Sequence, residues 1–195
     1  MPEIDDILTA IREVEKSLDH RIERVQGALM VMWGVVAALI ALFYQAVVLD
    51  PRPFVDAIGV FGVSWAWVLF VGAGYAISIV AGARVGRLEG AERTRREALR
   101  DALPGAVSSL IAFVLVLVGR PNLIAGALLL GFGATCYLRT RKLRVRGASL
   151  AVAAACALAG IALLARPFAW QWLVCAILFG GGLMLLGWLR MARAR

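Results

Sequence analysis

The chain has 195 residues, 62% hydrophobic and 17% charged, with mean hydropathy +0.82. Soluble domains carry roughly 45–50% apolar and about 25% charged residues, so this composition excludes a globule surrounded by water. A formal net charge of +8 and an isoelectric point of about 10.4 would suit nucleic acid, but the basic residues lie in short segments between long apolar runs, which ties them to membrane topology instead.

Residues 1–26 read as an amphipathic cytoplasmic helix. Ile4, Ile11, Leu18 and Val25 recur every seven residues, with Ile7 and Val14 between them and Arg21 interrupting the next place. This is an apolar stripe of heptad spacing. Pro2, Glu3, Asp5 and Asp6 suit a helix start. The acidic beginning and the length of the following apolar run do not fit a signal peptide. Three heptads are marginal in isolation, so the stripe either lies solvated or in the membrane interface or takes a cover, and for the cover two are open. One is the same helix in another subunit. The other is the segment 84–101, a helix-like polar insert with Arg93, Arg96 and Arg100 on one stripe, opposite in sign to the row Glu15, Asp19 and Glu23.

Six apolar segments follow, at 27–49, 57–83, 102–119, 123–138, 148–165 and 168–189. A bilayer core of about 30 Å needs about 20 helical residues. The first, second and sixth reach that length; the others need flanking residues or a thinner bilayer. Arg52-Pro53, Arg120-Pro121 and Arg166-Pro167 stand between the members of successive pairs. Proline cannot continue a helix, disfavours helical backbone in the residue before it and suits the first turn of the next helix. Three such pairs punctuate three helical hairpins. The second helix of each carries clustered glycines: Gly72 and Gly74, Gly131 and Gly133, then Gly180, Gly181 and Gly182. Small residues let helix backbones approach in lipid.

Eighteen of the twenty-one Lys and Arg residues fall in 1–26, 84–101, 139–147 and 190–195, and the other three, Arg52, Arg120 and Arg166, sit one at each hairpin tip. That bias places both termini in the cytoplasm and the arginine tips outside. All thirteen acidic residues also lie outside the spans. Ion-coupled transporters keep ionisable relays within the membrane, and none stands there. The lone histidine, His20, precedes the first span, and Cys136, Cys156 and Cys175 are spaced for neither a disulfide framework nor zinc. No nucleophile–base pair, phosphate loop or metal motif is present. The expectation is therefore no catalytic, metal or cofactor site. Trp170, Trp172 and Trp188 fit interfacial belts at the two ends of the last span.

The stretch "VRGASLAVAAACALAGIALLARPFAWQWLVCAILFGGGLMLLGWLRMAR" (145–193) resembles a repeat unit of the HdeD-type acid-resistance membrane proteins, which have short apolar hairpins with a proline at the turn and glycines in the second helix. Residues 102–142 carry the pattern less fully and 24–87 least. The long N-terminal helix and the 84–101 insert depart from it, and the family's polar residue near the end of the second helix is not evident. The resemblance implies a small membrane protein linked to stress tolerance, with no catalytic residues to carry over.

Taken together, the chain reads as an all-α membrane protein. It has six transmembrane helices in three hairpins (27–83, 102–138 and 148–189), a cytoplasmic amphipathic helix at 1–26, a helical insert at 84–101 and a basic tail at 190–195. The expected role is structural or accessory in the cell membrane, with the lipid bilayer and further copies or other membrane subunits as partners and no nucleic acid. Ile4, Ile7, Ile11, Val14 and Leu18 and the glycines Gly131, Gly133, Gly180, Gly181 and Gly182 form the expected assembly interface. A channel for a small neutral or anionic solute is the alternative, with Arg52, Arg120 and Arg166 ringing its outer mouth.

Overall fold

The computed structural model describes residues 2–59, 77, 103, 107–115, 117–140 and 145–194. Most of the 57–83 segment and the whole 84–101 insert lie outside the described residues, and with them Gly72 and Gly74.

Helix α1 runs from Pro2 to Leu49 without a break. At 1.5 Å per residue it is about 72 Å long, more than twice the hydrocarbon thickness of a bilayer. The amphipathic segment and the first span are thus one rod. Between Glu3 and Leu49 there is no proline and a single pair of isolated glycines, Gly27 and Gly34. Lone helical glycines cost only about 1 kcal/mol each, and both are held by packing, as described below. Three more helices are α2 (Ile124–Arg139), α3 (Arg146–Ala165) and α4 (Gln171–Arg193). These and α1 are long and apolar enough to cross a membrane, so four candidate spans stand among the described residues. No strand occurs among those residues.

The three Arg-Pro turns differ in detail. After α1, Asp50 accepts the Arg52 N–H at 3.3 Å and a short helix covers 52–59, so Pro53 sits in its first turn. It ends at Gly59, whose φ of +70° is open to glycine at little cost. Gly119 has the same φ and turns the chain after the helical residues 107–115. Pro121 then opens a 3-10 turn, Pro121–Leu123, that leads into α2. At the third turn Arg166 is extended, with φ −144° and ψ 85°, the conformation that a following proline favours. Here α4 starts at Gln171, three residues later than the sequence suggests, because the turn through Phe168 and Trp170 intervenes.

Two antiparallel seams hold the described helices. On the first, α1 packs on α4. A Cβ built at Gly34 would lie 2.6 Å from the Gly180 carbonyl oxygen, and one at Gly187 would lie 2.5 Å from the Gly27 carbonyl oxygen. On the second, α2 packs on α3, where the Gly126 and Gly160 positions approach each other's carbonyl oxygens at 3.0 Å by the same measure. Both seams repeat small residues seven apart: Gly27 and Gly34, Gly180 and Gly187, Gly126 and Gly133, Ala153 and Gly160. A seven-residue repeat keeps one face toward its partner along a gently crossing pair. The buried places on α3, Ser149, Ala153, Cys156, Gly160 and Leu163, step by four and three in the same way. Consecutive helices α3 and α4 touch less than α3 and α2 or α4 and α1.

Within α4 the residues Ala176–Gly181 form a wide π turn. Buried Cys175 and Gly180 are five apart across it, which resets the inward face between the part near α2 and the part on α1. Phe132 of α2 and Phe179 stack here with centroids 4.4 Å apart. The three cysteines are buried between helices, at 4% or less exposure, and do not face lipid.

Candidate interaction surface

The ends of the α1–α4 seam are stapled by polar side chains. At the end bearing the Arg-Pro turns, Gln45 is buried. Its Nε2 donates to the Ala169 carbonyl at 2.8 Å, and its Oε1 accepts the Leu173 N–H at 3.0 Å. Leu173 is in the first turn of α4, and Trp170 at the N-cap offers no side-chain bond. Gln45 therefore supplies, from another helix, the acceptor that a cap residue normally provides. Tyr44 stacks on Trp172 beside it, centroids 5.2 Å apart.

At the other end the Arg24 Nε donates to the Ala194 carbonyl at 3.1 Å, and Arg190 donates to Gln26 Oε1. The Arg24 guanidinium meets orphan carbonyls at the C-terminus of α4, where the helix dipole favours a cation. Glu23, one turn before Gly27 on the α4-facing side, is buried, whereas Asp19 is exposed. Of the acidic row read from the sequence, Glu23 is thus covered at the end of α4 and Asp19, one turn further out on the same side, is not.

Beyond Arg24 lie 22 further residues of α1, about 33 Å of helix at 1.5 Å each. Ile7, Ile11 and Val14 stand there in a line at 59%, 50% and 58% exposure, and Leu18 is half-buried. The side chain of Ile4 lies outside the described residues. At 100° per residue this stripe falls roughly half a turn away from Gly27, Gly34, Ala38 and Gln45. The seam with α4 therefore does not continue into it.

The expected glycine interface divides. Gly133 faces Ala153 and Cys156 of α3, Gly180 faces Ala38 of α1, and Gly182 faces Val152 of α3. These three are used inside the chain. Gly181 has open space where a Cβ would go. Gly131 accepts the Thr135 hydroxyl at 2.8 Å and lines a cleft described below. Arg52, Arg120 and Arg166 are all exposed, at the Gln45 end of the bundle.

Reading the sequence alone missed that Gln45 caps a distant helix, because the contact joins residues 128 positions apart. It also missed the knot at the other end of α2 and α3, where the Thr140 and buried Ser149 hydroxyls both donate to the Cys136 carbonyl, at 2.9 and 3.0 Å. Among the described residues no three His, Cys, Asp or Glu side chains gather as metal ligands do. No family model, curated protein or solved structure matches the chain. The HdeD-type resemblance rests on the residues quoted for it.

Proposed function

We propose that this chain is a non-catalytic integral membrane protein of structural or accessory role, assembling with further copies of itself or as a subunit of a larger complex in the cell membrane. One observation carries the reading: Ile7, Ile11 and Val14 stand more than half to fully half exposed on a rod that projects past the packed helices. An apolar stripe of this kind is costly in water unless another element covers it. The proposal includes the three-hairpin, six-span arrangement with both termini cytoplasmic, supported by the Arg-Pro turns and by the charge bias of the connecting segments. A link to stress tolerance follows from the HdeD-type resemblance.

Native mass spectrometry of the full chain from mild detergent tests the assembly. The expected species is an oligomer or a complex with other subunits, and Ile11→Asp with Val14→Asp shifts it toward the single chain. A lone monomer for the unsubstituted protein overturns the reading.

A second reading, a channel for a small neutral or anionic solute, draws on the exposure of Arg52, Arg120 and Arg166 at one end. Uptake into liposomes that is unchanged by Arg120→Ala and Arg166→Ala together removes their role at a mouth.

A further inference from the structure

The small residues of both seams are closed onto neighbouring backbone. One row is not. On α2, Ala127, Gly131 and Ala134 form the floor of a half-open cleft of about 400 Å³. Its walls come from the helical residues Val107, Ile111 and Leu115 on one side and from Leu164 of α3 on the other. The volume is within the range of about 300–1,000 Å³ that small-molecule sites occupy.

The lining decides what can enter. Among the described lining residues the one hydroxyl, Ser108, is buried and already has a bonding partner. An ordered water needs two to four polar partners, which these described walls do not offer. An empty gap leaves its lining atoms without dispersion contacts on one side. Hydrocarbon satisfies both conditions. The floor spans eight residues, 127–134, about 10 Å along the helix axis, in the direction an extended chain takes across a bilayer. The cleft lies within the candidate span Pro121–Leu138, and its outer flank carries Leu110, Phe113 and Leu117 at 62%, 59% and 69% exposure. On the membrane-spanning reading proposed above, the medium at that depth is lipid.

We infer that the cleft between residues 107–115 and helices α2 and α3 holds one acyl chain of a bilayer phospholipid. The chain fills the space that helix approach leaves open. Because lipid tails are as apolar as leucine, shape and dispersion retain it and hydrophobic transfer does not.

The test uses the full chain in phosphatidylcholine vesicles doped with a phospholipid that carries a diazirine midway along one acyl chain. After irradiation and proteolysis, adducts are mapped by mass spectrometry. The expected result is several-fold denser labelling at 107–115 and 127–134 than at Leu158 and Ile161, which face outward on α3 at 70% and 59% exposure. Gly131→Leu with Ala134→Leu fills the cleft and lowers its labelling about fivefold, leaving Leu158 and Ile161 unchanged; circular dichroism verifies the fold. If that variant does not fold, Ala134→Val is read in its place, with a smaller loss expected. Equal labelling at the cleft and on the outward face, or cleft labelling that neither variant lowers, overturns the inference. So does a cross-link from a photoreactive residue at Ile111 to a second protein chain, since a subunit then occupies the cleft.

Discussion

Gln45 joins the outer ends of α1 and α4 with a single side chain. It gives a hydrogen to Ala169 and takes one from Leu173. Leucine has nearly its shape and neither group, so Gln45→Leu strands a part-buried N–H and a carbonyl. Leaving such groups unpaired costs about 1–3 kcal/mol. Thermal unfolding in mild detergent should show a midpoint lower by several degrees, and an unchanged midpoint refutes the capping role. Neighbouring glycines allow a sharper comparison. A methyl at Gly180 would lie 2.7 Å from the Ala38 Cβ and 2.9 Å from the Gly34 carbonyl oxygen, whereas one at Gly181 meets nothing within 4 Å. Gly180→Ala should therefore force α1 and α4 apart and destabilise the protein by about 1–3 kcal/mol, the usual cost of overpacking. Gly181→Ala should be neutral, or stabilising by up to about 1 kcal/mol through reduced backbone entropy in the unfolded chain. The reverse order in a pair of melting curves would mean that α4 is rotated from the register described.

At the scale of elements, α1 has two jobs along one rod. Its second half packs on α4 through Gly27, Gly34 and Ala41, and its first half presents Ile7, Ile11 and Val14. Because these lie on different faces and at different heights, Ile11→Asp with Val14→Asp should leave the unfolding midpoint of the helices nearly unchanged, within the ±0.5 kcal/mol typical of surface changes. A large fall in midpoint would mean that the stripe is part of the fold. Much of this was legible in the sequence. The apolar runs mark the four candidate spans among the described residues, and Arg120-Pro121 and Arg166-Pro167 mark turns, since proline acts through its own ring and the residue before it. Other features were not legible. The continuity of the amphipathic segment with the first span was not legible, since the composition changes at 26 and 27, but composition does not break a helix, and nothing in the backbone chemistry there does. The π turn in α4 had only the triple glycine as a signal. Pairing was hidden too: α3 lies chiefly against α2, a choice set by Gly126, Gly133, Ala153 and Gly160 meeting in space, and hairpin punctuation does not encode it.

Across the whole molecule, charge and packing give the same division into ends. Arg24 reaches Ala194, so the beginning of the packed part of α1 and the end of α4 share one end of the bundle. Gln45 reaches Ala169 at the other. Gly126 meets Gly160 and Leu164, which sets the start of α2 beside the close of α3 and puts Arg120 at the same end as Arg166. Among the described residues, Arg12, Arg24, Arg146, Arg190 and Arg193 thus lie toward the first end and Arg52, Arg120 and Arg166 at the second, the asymmetry expected where Lys and Arg prefer cytoplasmic loops. Labelling of intact cells with a membrane-impermeant maleimide can read this directly. The native cysteines Cys136, Cys156 and Cys175 are at most 4% exposed and should stay silent. Single cysteines at Arg52, Arg120 and Arg166 should label from outside. Single cysteines at Glu13, Arg146 and Arg193 should label only once the membrane is opened. Reaction of Glu13→Cys and Arg193→Cys from opposite faces would contradict both the charge bias and the 3.1 Å contact between Arg24 and Ala194. Reaction of all six from the cytoplasmic side would leave the packing intact and remove the membrane crossing, because helices can be antiparallel neighbours without spanning a bilayer.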